Sequence, residues 1–96
     1  MEDSMKYLIN KDGKKCSIEQ LQRDIKRDVT GIYKAFRRSK RITQSELATI
    51  TGIAQPNITR FESDDSNPTL ELMVKMAAAM GMRVTIGFEP LENNKE

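Results

Sequence analysis

Apolar residues recur at intervals of three and four along much of the chain, which is the period of helices with one buried face. The first such stretch follows Ser17 and contains Ile18, Leu21, Ile25, Val29, Ile32 and Phe36. Ser17 with Gln20 fits a capping box at its start. The pattern predicts helix across 17–40 and leaves open whether Gly31 divides it into two.

Two shorter helices are predicted next, with clearer ends. Thr43 and Glu46 form a second predicted capping box, and Gly52 is typical of the residue that follows a helix. A further helix is predicted from about Gln55 to Asp64. Pro56 is tolerated in its first turn, because the missing N–H would have no helical partner there.

The turn-rich stretch 63–68 ends this unit, and a last helix is predicted from Thr69 to Gly81. Inward positions in these helices and their connection are predicted at Leu47, Ala48, Thr51, Ile53, Ile58, Phe61, Leu70, Met73, Met76, Ala77 and Met80. The six methionines of the chain need no metal or cofactor to explain them, since thioethers fill irregular gaps in a core.

After Gly81 the apolar period changes to two. Val84, Ile86 and Phe88 alternate with other residues, which predicts a short strand over 83–89. A single strand needs a hydrogen-bonding partner. Tyr7–Ile9 of the same chain is one option. We favour the other, the same strand of a second copy, because two-fold symmetry is the commonest in soluble oligomers.

Length and composition agree with one globular domain and its tails. The chain has 96 residues, of which 38% are hydrophobic and 31% charged. We expect a flexible arm over 1–16, a helical domain over 17–82, the strand over 83–89 and a disordered acidic tail over 90–96. No secretory signal or membrane-length apolar run is present, so we expect a cytoplasmic protein with no membrane partner.

The sequence lacks the residues that most enzymes and metal sites need. It has no histidine and a single cysteine, Cys16, so common zinc sites and histidine-dependent nucleophiles cannot be assembled. Its glycines are too scattered for a phosphate loop. Asp64 and Asp65 are adjacent acids in a polar stretch, which is usually a solvated loop. We therefore expect no catalysis, no metal and no cofactor.

The net charge is only +2, but its distribution is uneven. Five cations fall within 34–41, namely Lys34, Arg37, Arg38, Lys40 and Arg41, whereas Glu89 to Glu96 is mainly acidic. Such a basic patch fits a phosphate-binding surface. An exposed helix end of no particular function can carry the same charges.

One segment, 37–82, resembles the helix-turn-helix family typified by phage repressors and Cro proteins. The matching residues are Arg37, Thr43-Gln44-x-Glu46-Leu47-Ala48, Gly52-Ile53-x-Gln55, Ile58-Thr59-Arg60-x-Glu62, Asn67-Pro68-Thr69-Leu70 and Met80-Gly81. The resemblance implies an all-α fold of five helices, here with the short C-terminal strand. It also implies a recognition helix that enters the DNA major groove.

The resemblance assigns roles to the polar residues of this segment. Base contacts are expected from Gln55, Asn57, Thr59 and Arg60, since Gln and Asn can bond adenine and Arg can bond guanine or a phosphate. Contacts to the sugar-phosphate backbone are expected from Gln44, Arg38, Lys40, Arg41 and Pro56. Arg37 and Glu62 are expected to form a structural ion pair. The alternative is that the outward residues are merely solvated.

The sequence departs from the family pattern at four positions, one of which is Pro56, where a backbone donor that could face phosphate is missing. Ala54 stands where a hydroxyl residue often caps the recognition helix, so its start should be weaker by about 1 kcal/mol. Ile50 occupies a position that is usually polar, and Thr51 one that is usually apolar. We therefore expect Ile50 to be exposed, where it could meet a protein partner.

The appended strand and acidic tail resemble antitoxins of the HigA and HipB kind, which repress their own operon and bind a toxin. This implies a homodimer, joined through Val84, Ile86 and Phe88, on an inverted-repeat operator in double-stranded DNA. A small mRNA-cleaving toxin would be its partner, held partly by residues 1–30. Two alternatives stay open, a free-standing repressor and a protein-interaction module that no longer binds DNA.

Overall fold

The computed structural model describes residues 7–9, 15–63 and 67–91. These form strands β1 (Tyr7–Ile9) and β2 (Lys15–Ser17) and helices α1 (Ile18–Ser39), α2 (Gln44–Thr51), α3 (Gln55–Glu62) and α4 (Leu70–Ala79). They fall into two units, one within Met1–Ile25 and Ile86–Glu96, the other within Lys26–Thr85. Asp64, Asp65, most of the predicted arm and residues 92–96 of the predicted tail lie outside the described residues.

The first unit contains a small hairpin where the sequence predicted at most one strand. β1 and β2 are antiparallel, with Leu8 opposite Cys16 at the centre of the register. The backbone N–H of Gln20 donates to the Ser17 hydroxyl at 3.2 Å, so Ser17 caps α1. The predicted alternative, in which β1 pairs with a C-terminal strand, is wrong, because the sheet has only β1 and β2 among the described residues and no strand forms over 83–89.

Residues 18–39 form one helix of 22 residues, and Gly31 lies inside it without a break. The buried face of α1 agrees with the prediction only in part, since Val29 and Phe36 pack half-buried against the core as expected. Thr30, Tyr33 and Arg37 are buried, whereas Ile25 and Ile32 are 61% and 67% exposed. The spacing of apolar residues predicted that the isoleucines are buried. The residues that are buried instead carry polar atoms with hydrogen-bond partners, so a pattern of apolar residues does not detect them.

Both ends of α2 follow the prediction. The Thr43 hydroxyl accepts from the Glu46 backbone N–H at 3.0 Å, and the Glu46 carboxylate accepts from the Thr43 N–H at 2.8 Å. Gly52 has a left-handed φ of 78°, a conformation in which a side chain would be strained. This glycine turns the chain directly into the Ile53-Ala54 link and α3.

The core of the second unit lies between α2, α3, α4 and the later part of α1. Leu47, Ile58, Phe61 and Met76 are fully buried. The rings of Tyr33 and Phe61 meet edge to face, with centroids 5.2 Å apart, and the Tyr33 hydroxyl donates to the Met73 carbonyl at 2.8 Å. These contacts tie α1 to both α3 and α4.

Several predicted core positions need correction or confirmation. Leu70 is 63% exposed and not inward, because it is the first residue of α4 and lies more than one turn before the buried Met76 and Ala77. Ile50 is 58% exposed, as expected. The half-buried Thr51 fills its usually apolar position by donating its hydroxyl to the Leu47 carbonyl at 2.7 Å.

The described residues contain four helices and not the five expected, and residues 84–88 form no strand. The fifth helix is missing because 18–39 is continuous. Alternating apolar residues specify which side chains share a face, but a strand exists only where its backbone is paired. Within the described ranges, no helix combines the length and apolarity that crossing a membrane requires.

Candidate nucleic-acid interface

The orientation of α3 on the domain is fixed by the residues on its buried face. Ile58, Phe61 and Glu62 are buried, while Gln55, Asn57, Thr59 and Arg60 are exposed. One face of the helix is therefore packed against the core, and the other carries four polar side chains. The Gly52 turn at one end and the packing of Phe61 at the other hold this polar face in place.

Glu62 anchors α3 to α1 through a bidentate ion pair with Arg37. Arg37 donates from Nε to Glu62 Oε2 at 2.7 Å and from Nη2 to Oε1 at 2.9 Å. The two side chains are only 10% and 3% exposed. Arg37 also donates from Nη1 to the Ile42 carbonyl at 2.8 Å, so its guanidinium holds the end of α1 as well.

The ion pair changes the acid-base properties of both groups. Burial by itself raises the pKa of Glu62, but the hydrogen bonds from Arg37 and Gln44 and the charges of Arg37 and Lys34 outweigh it, leaving this pKa below its ordinary value. The hydrogen bond to Glu62 raises the pKa of Arg37, more than burial lowers it. Both groups are charged at neutral pH.

We expect this pair to make the fold sensitive to acid. The pKa of Glu62 is lower in the folded than in the unfolded protein, so its stabilisation is complete above the ordinary value of 4.5 and is lost as the pH falls through the folded pKa. Urea denaturation between pH 7 and pH 3 should show the free energy of unfolding decreasing, with a shallower decrease in Glu62→Gln. Equal slopes would contradict the assignment. Glu71→Gln, which removes an exposed partner of Lys75, is the control and should follow the wild type.

Gln44 and Thr59 extend this network to the polar face of α3. Gln44 Nε2 donates to Glu62 Oε1 at 2.9 Å, and the Thr59 hydroxyl donates to Gln44 Oε1 at 2.7 Å. Gln44, predicted to contact the DNA backbone, thus bridges α2 to α3. Thr59, predicted to contact a base, has its hydroxyl hydrogen directed at Gln44.

The remaining predicted base-contacting residues divide into a pair and a single residue. Arg60 donates through Nη2 to Asn57 Oδ1. Gln55 has no side-chain hydrogen bond within the described residues and is exposed at the start of α3. Ala54 precedes it and gives no side-chain cap, while Pro56 lies in the first turn. The helix start that faces outward is therefore uncapped, as the sequence predicted.

The cations predicted to contact phosphates lie where α1 ends. Arg38, Lys40 and Arg41 are exposed. The Lys40 ammonium lies 5.4 Å from the centre of the Phe36 ring, which limits its freedom. Arg41 has a left-handed φ of 60°, a conformation that costs a non-glycine residue about 1 kcal/mol or more. The chain thus turns at Arg41 and leaves its guanidinium at the surface.

The predicted dimerisation residues differ in exposure. Val84 is half-buried and packs against the core of the second unit. Ile86 and Phe88 are 75% and 99% exposed. An almost fully exposed phenylalanine is an unfavourable surface group in an isolated chain.

Several contacts of α1 and α3 were not predicted, and three of them show why. Tyr33 was absent from the predicted core, and a hydrogen-bonding aromatic among polar residues gives little periodic signal. The Gln44–Thr59 bond joins residues 15 positions apart, for which sequence spacing has no rule. The pairing of Asn57 with Arg60 did have a signal, since residues three apart on a helix are neighbours.

Comparison with known proteins agrees with this geometry. The helix-turn-helix family model matches residues 34–86, which is more than half of the chain. The chain belongs to the helix-turn-helix family. The matched residues contain α2, the Gly52 turn and α3, together with the ion pair that joins α3 to α1.

Two known proteins resemble this helix-turn-helix protein over different lengths. An uncharacterized HTH-type transcriptional regulator of Haemophilus influenzae is 40% identical over 45 residues, which is 47% of this chain and 46% of that protein. The match thus spans about half the length of that relative. A toxin-antitoxin module from Streptococcus pneumoniae has a similar structure, with a TM-score of 0.59 and 26% identity, covering 85% of this chain and 84% of that one.

Proposed function

We propose that this protein is a sequence-specific transcriptional repressor that binds double-stranded DNA through α3. The observation that carries the proposal is the polar face of α3, which is exposed while the opposite face is locked by Phe61 and the Arg37–Glu62 pair. A helix held in this way fits the major groove, which is wide enough to admit one. The HTH-type relative from Haemophilus influenzae supports a regulatory role.

The repressor acts as a homodimer on an inverted repeat. Ile86 and Phe88 support this step because both are exposed apolar residues, and joining two copies through them would remove both side chains from water. In a two-fold dimer the two α3 helices lie roughly 34 Å apart, one turn of DNA. The same symmetry requires an operator with two related half-sites.

The test is a fluorescence-anisotropy titration with the DNA upstream of the protein's own gene, at two salt concentrations. The full chain should bind this DNA more tightly than random DNA, with two chains per operator. Gln55→Ala should reduce the preference about fivefold or more, because it removes a bidentate base contact. Arg38→Ala should weaken binding to all sequences and lower the salt slope by about 1.

A matched charge-loss control is Lys75→Ala. The Lys75 ammonium is already paired with Glu71 at 3.1 Å on α4, so its removal should change neither affinity nor salt slope. If the wild type binds its upstream DNA no better than random DNA, the proposal of an autoregulating repressor fails.

We propose further that the repressor is the antitoxin of a toxin–antitoxin pair, because the Streptococcus pneumoniae structure that resembles it over most of its length is such a module. The partner is a small mRNA-cleaving protein bound partly through residues 1–30. A free-standing repressor is the second candidate, and the Haemophilus influenzae relative is named only as an HTH-type transcriptional regulator. The test is expression of the protein encoded by the neighbouring reading frame. If that protein stops cell growth when expressed by itself, and growth resumes when this chain is co-expressed, the antitoxin proposal is supported over the free-standing repressor.

A further inference from the structure

The outward face of α3 carries a side-chain pair that limits which bases it can contact. Asn57 and Arg60 are three residues apart and therefore lie on neighbouring turns of the same side of the helix. Arg60 donates through Nη2 to Asn57 Oδ1. Both residues are exposed, whereas Ile58 and Phe61 are buried.

This pair presents mainly hydrogen-bond donors. The oxygen of Asn57 already accepts from Arg60, while its Nδ2 keeps two N–H groups and Arg60 keeps its other guanidinium N–H groups. An adenine bonded by Asn57 through both amide groups would need its N6 amino group and the guanidinium to share the two lone pairs of the same oxygen. Guanine has two adjacent acceptors on its major-groove edge, N7 and O6, and matches the donors.

The position of Asn57 also decides where the guanidinium lies. Side chains on a helix lean toward its N-terminus, and the N-terminal residues of a recognition helix are those that meet base edges. Asn57 lies one turn before Arg60 and holds its guanidinium toward that end. A long flexible arginine is thus ordered before it meets DNA, which reduces the entropy lost on binding.

We propose that Arg60 recognises a guanine through N7 and O6, and that Asn57 is the positioning residue that holds Arg60 for this contact. This rests on the proposed DNA-binding function and names the base that α3 selects. Gln55, whose amide has no partner within the described residues, keeps both a donor and an acceptor and is suited to adenine. Asn57, which the sequence predicted to contact a base directly, is thus assigned an indirect role through Arg60.

The experiment is selection from a randomised double-stranded DNA library by the full chain, followed by titration of the selected site and its single-base variants. The wild type should select one guanine in each half-site, and 7-deazaguanine there, which lacks N7, should lower affinity about fivefold or more. Asn57→Ala should lose most of the discrimination at that base pair alone. Asn57→Asp keeps an oxygen that accepts from Arg60, so it should retain the guanine preference even though its charge weakens overall binding.

A matched control comes from α1, where Arg23 donates to Gln20 Oε1 at 3.1 Å in an exposed pair of the same kind and spacing. Gln20→Ala should leave every base preference unchanged. The proposal would be overturned if both Asn57→Ala and Asn57→Asp lost a preference for adenine and kept the preference for guanine. Asn57 would then contact adenine itself. A uniform loss of affinity in Arg60→Ala would also overturn it, by assigning Arg60 to a phosphate. If the wild type selects no sequence at all, the DNA-binding proposal fails as well.

Discussion

Replacement of Arg37 by methionine is expected to lower the free energy of unfolding by about 3–5 kcal/mol. The substitution leaves the Glu62 carboxylate, 3% exposed, with Gln44 as its one remaining hydrogen-bond partner among those described. It also removes the donor to the Ile42 carbonyl. Since small domains are stable by about 5–15 kcal/mol in total, urea denaturation at pH 7 should show a large loss, with a fall in Tm of about 12 °C or more.

Two further variants distinguish the cost of leaving a buried charge unpaired from the cost of losing an arginine side chain. Arg23→Met removes an exposed arginine that pairs with Glu19 at 3.2 Å, and should cost about 1 kcal/mol or less. Arg37→Met/Glu62→Leu replaces both charges and should recover most of the stability lost in the single variant. A cost below about 1 kcal/mol for Arg37→Met would show that the carboxylate finds water instead, and would contradict its burial.

The motif was predictable from the sequence because its signals are local. The Thr43–Glu46 capping box and the glycine at position 52 depend on residues within one or two helical turns, and both form as expected. The weak start of α3 followed from a single missing hydroxyl at Ala54. Such features do not depend on what the rest of the chain does.

The packing of α1 was not predictable in the same way. Its buried face holds Thr30, Tyr33 and Arg37, and the last two are held by groups on other parts of the chain, the Met73 carbonyl and the Glu62 carboxylate. Hydrophobic periodicity weighs residues by type, so it correctly chose Val29 and Phe36 but also chose the exposed Ile25 and Ile32 and missed the three residues with polar atoms. The same limit applies to Val84–Phe88, whose predicted strand depends on a partner and not on its own alternation.

The sequence predicted which polar residues of α3 lie outward, whereas the hydrogen bonds among them were not predicted. The resemblance pointed to the outward residues of α3, and the structure adds that Thr59 bonds Gln44 and that Arg60 bonds Asn57. These bonds change the chemistry, because an occupied acceptor or donor is less free to meet a base. If α3 binds DNA as proposed, its base preference depends on contacts between side chains as well as on which side chains are present.

Replacement of Phe61 by alanine is the second change with a large expected effect, about 3–5 kcal/mol of unfolding free energy. Phe61 is fully buried on the inner face of α3, and its ring meets Tyr33 edge to face at 5.2 Å. The cost comes from the lost apolar burial and the cavity, with about 0.5–1.5 kcal/mol from the ring pair. Phe36→Ala, which truncates a half-buried phenylalanine on α1, is the matched control and should cost clearly less.

A double-mutant cycle of Phe61→Leu with Tyr33→Leu isolates the ring pair from the cavity, since leucine preserves most of the volume at Phe61. Tyr33→Leu also removes the hydroxyl bond to the Met73 carbonyl, but that loss occurs in both arms of the cycle and cancels. A coupling energy near zero, measured by urea denaturation, would mean that Phe61 acts by volume alone. A coupling of about 0.5–1.5 kcal/mol would mean that the direction of the Tyr33 ring helps fix α3, and with it the angle at which the polar face meets DNA.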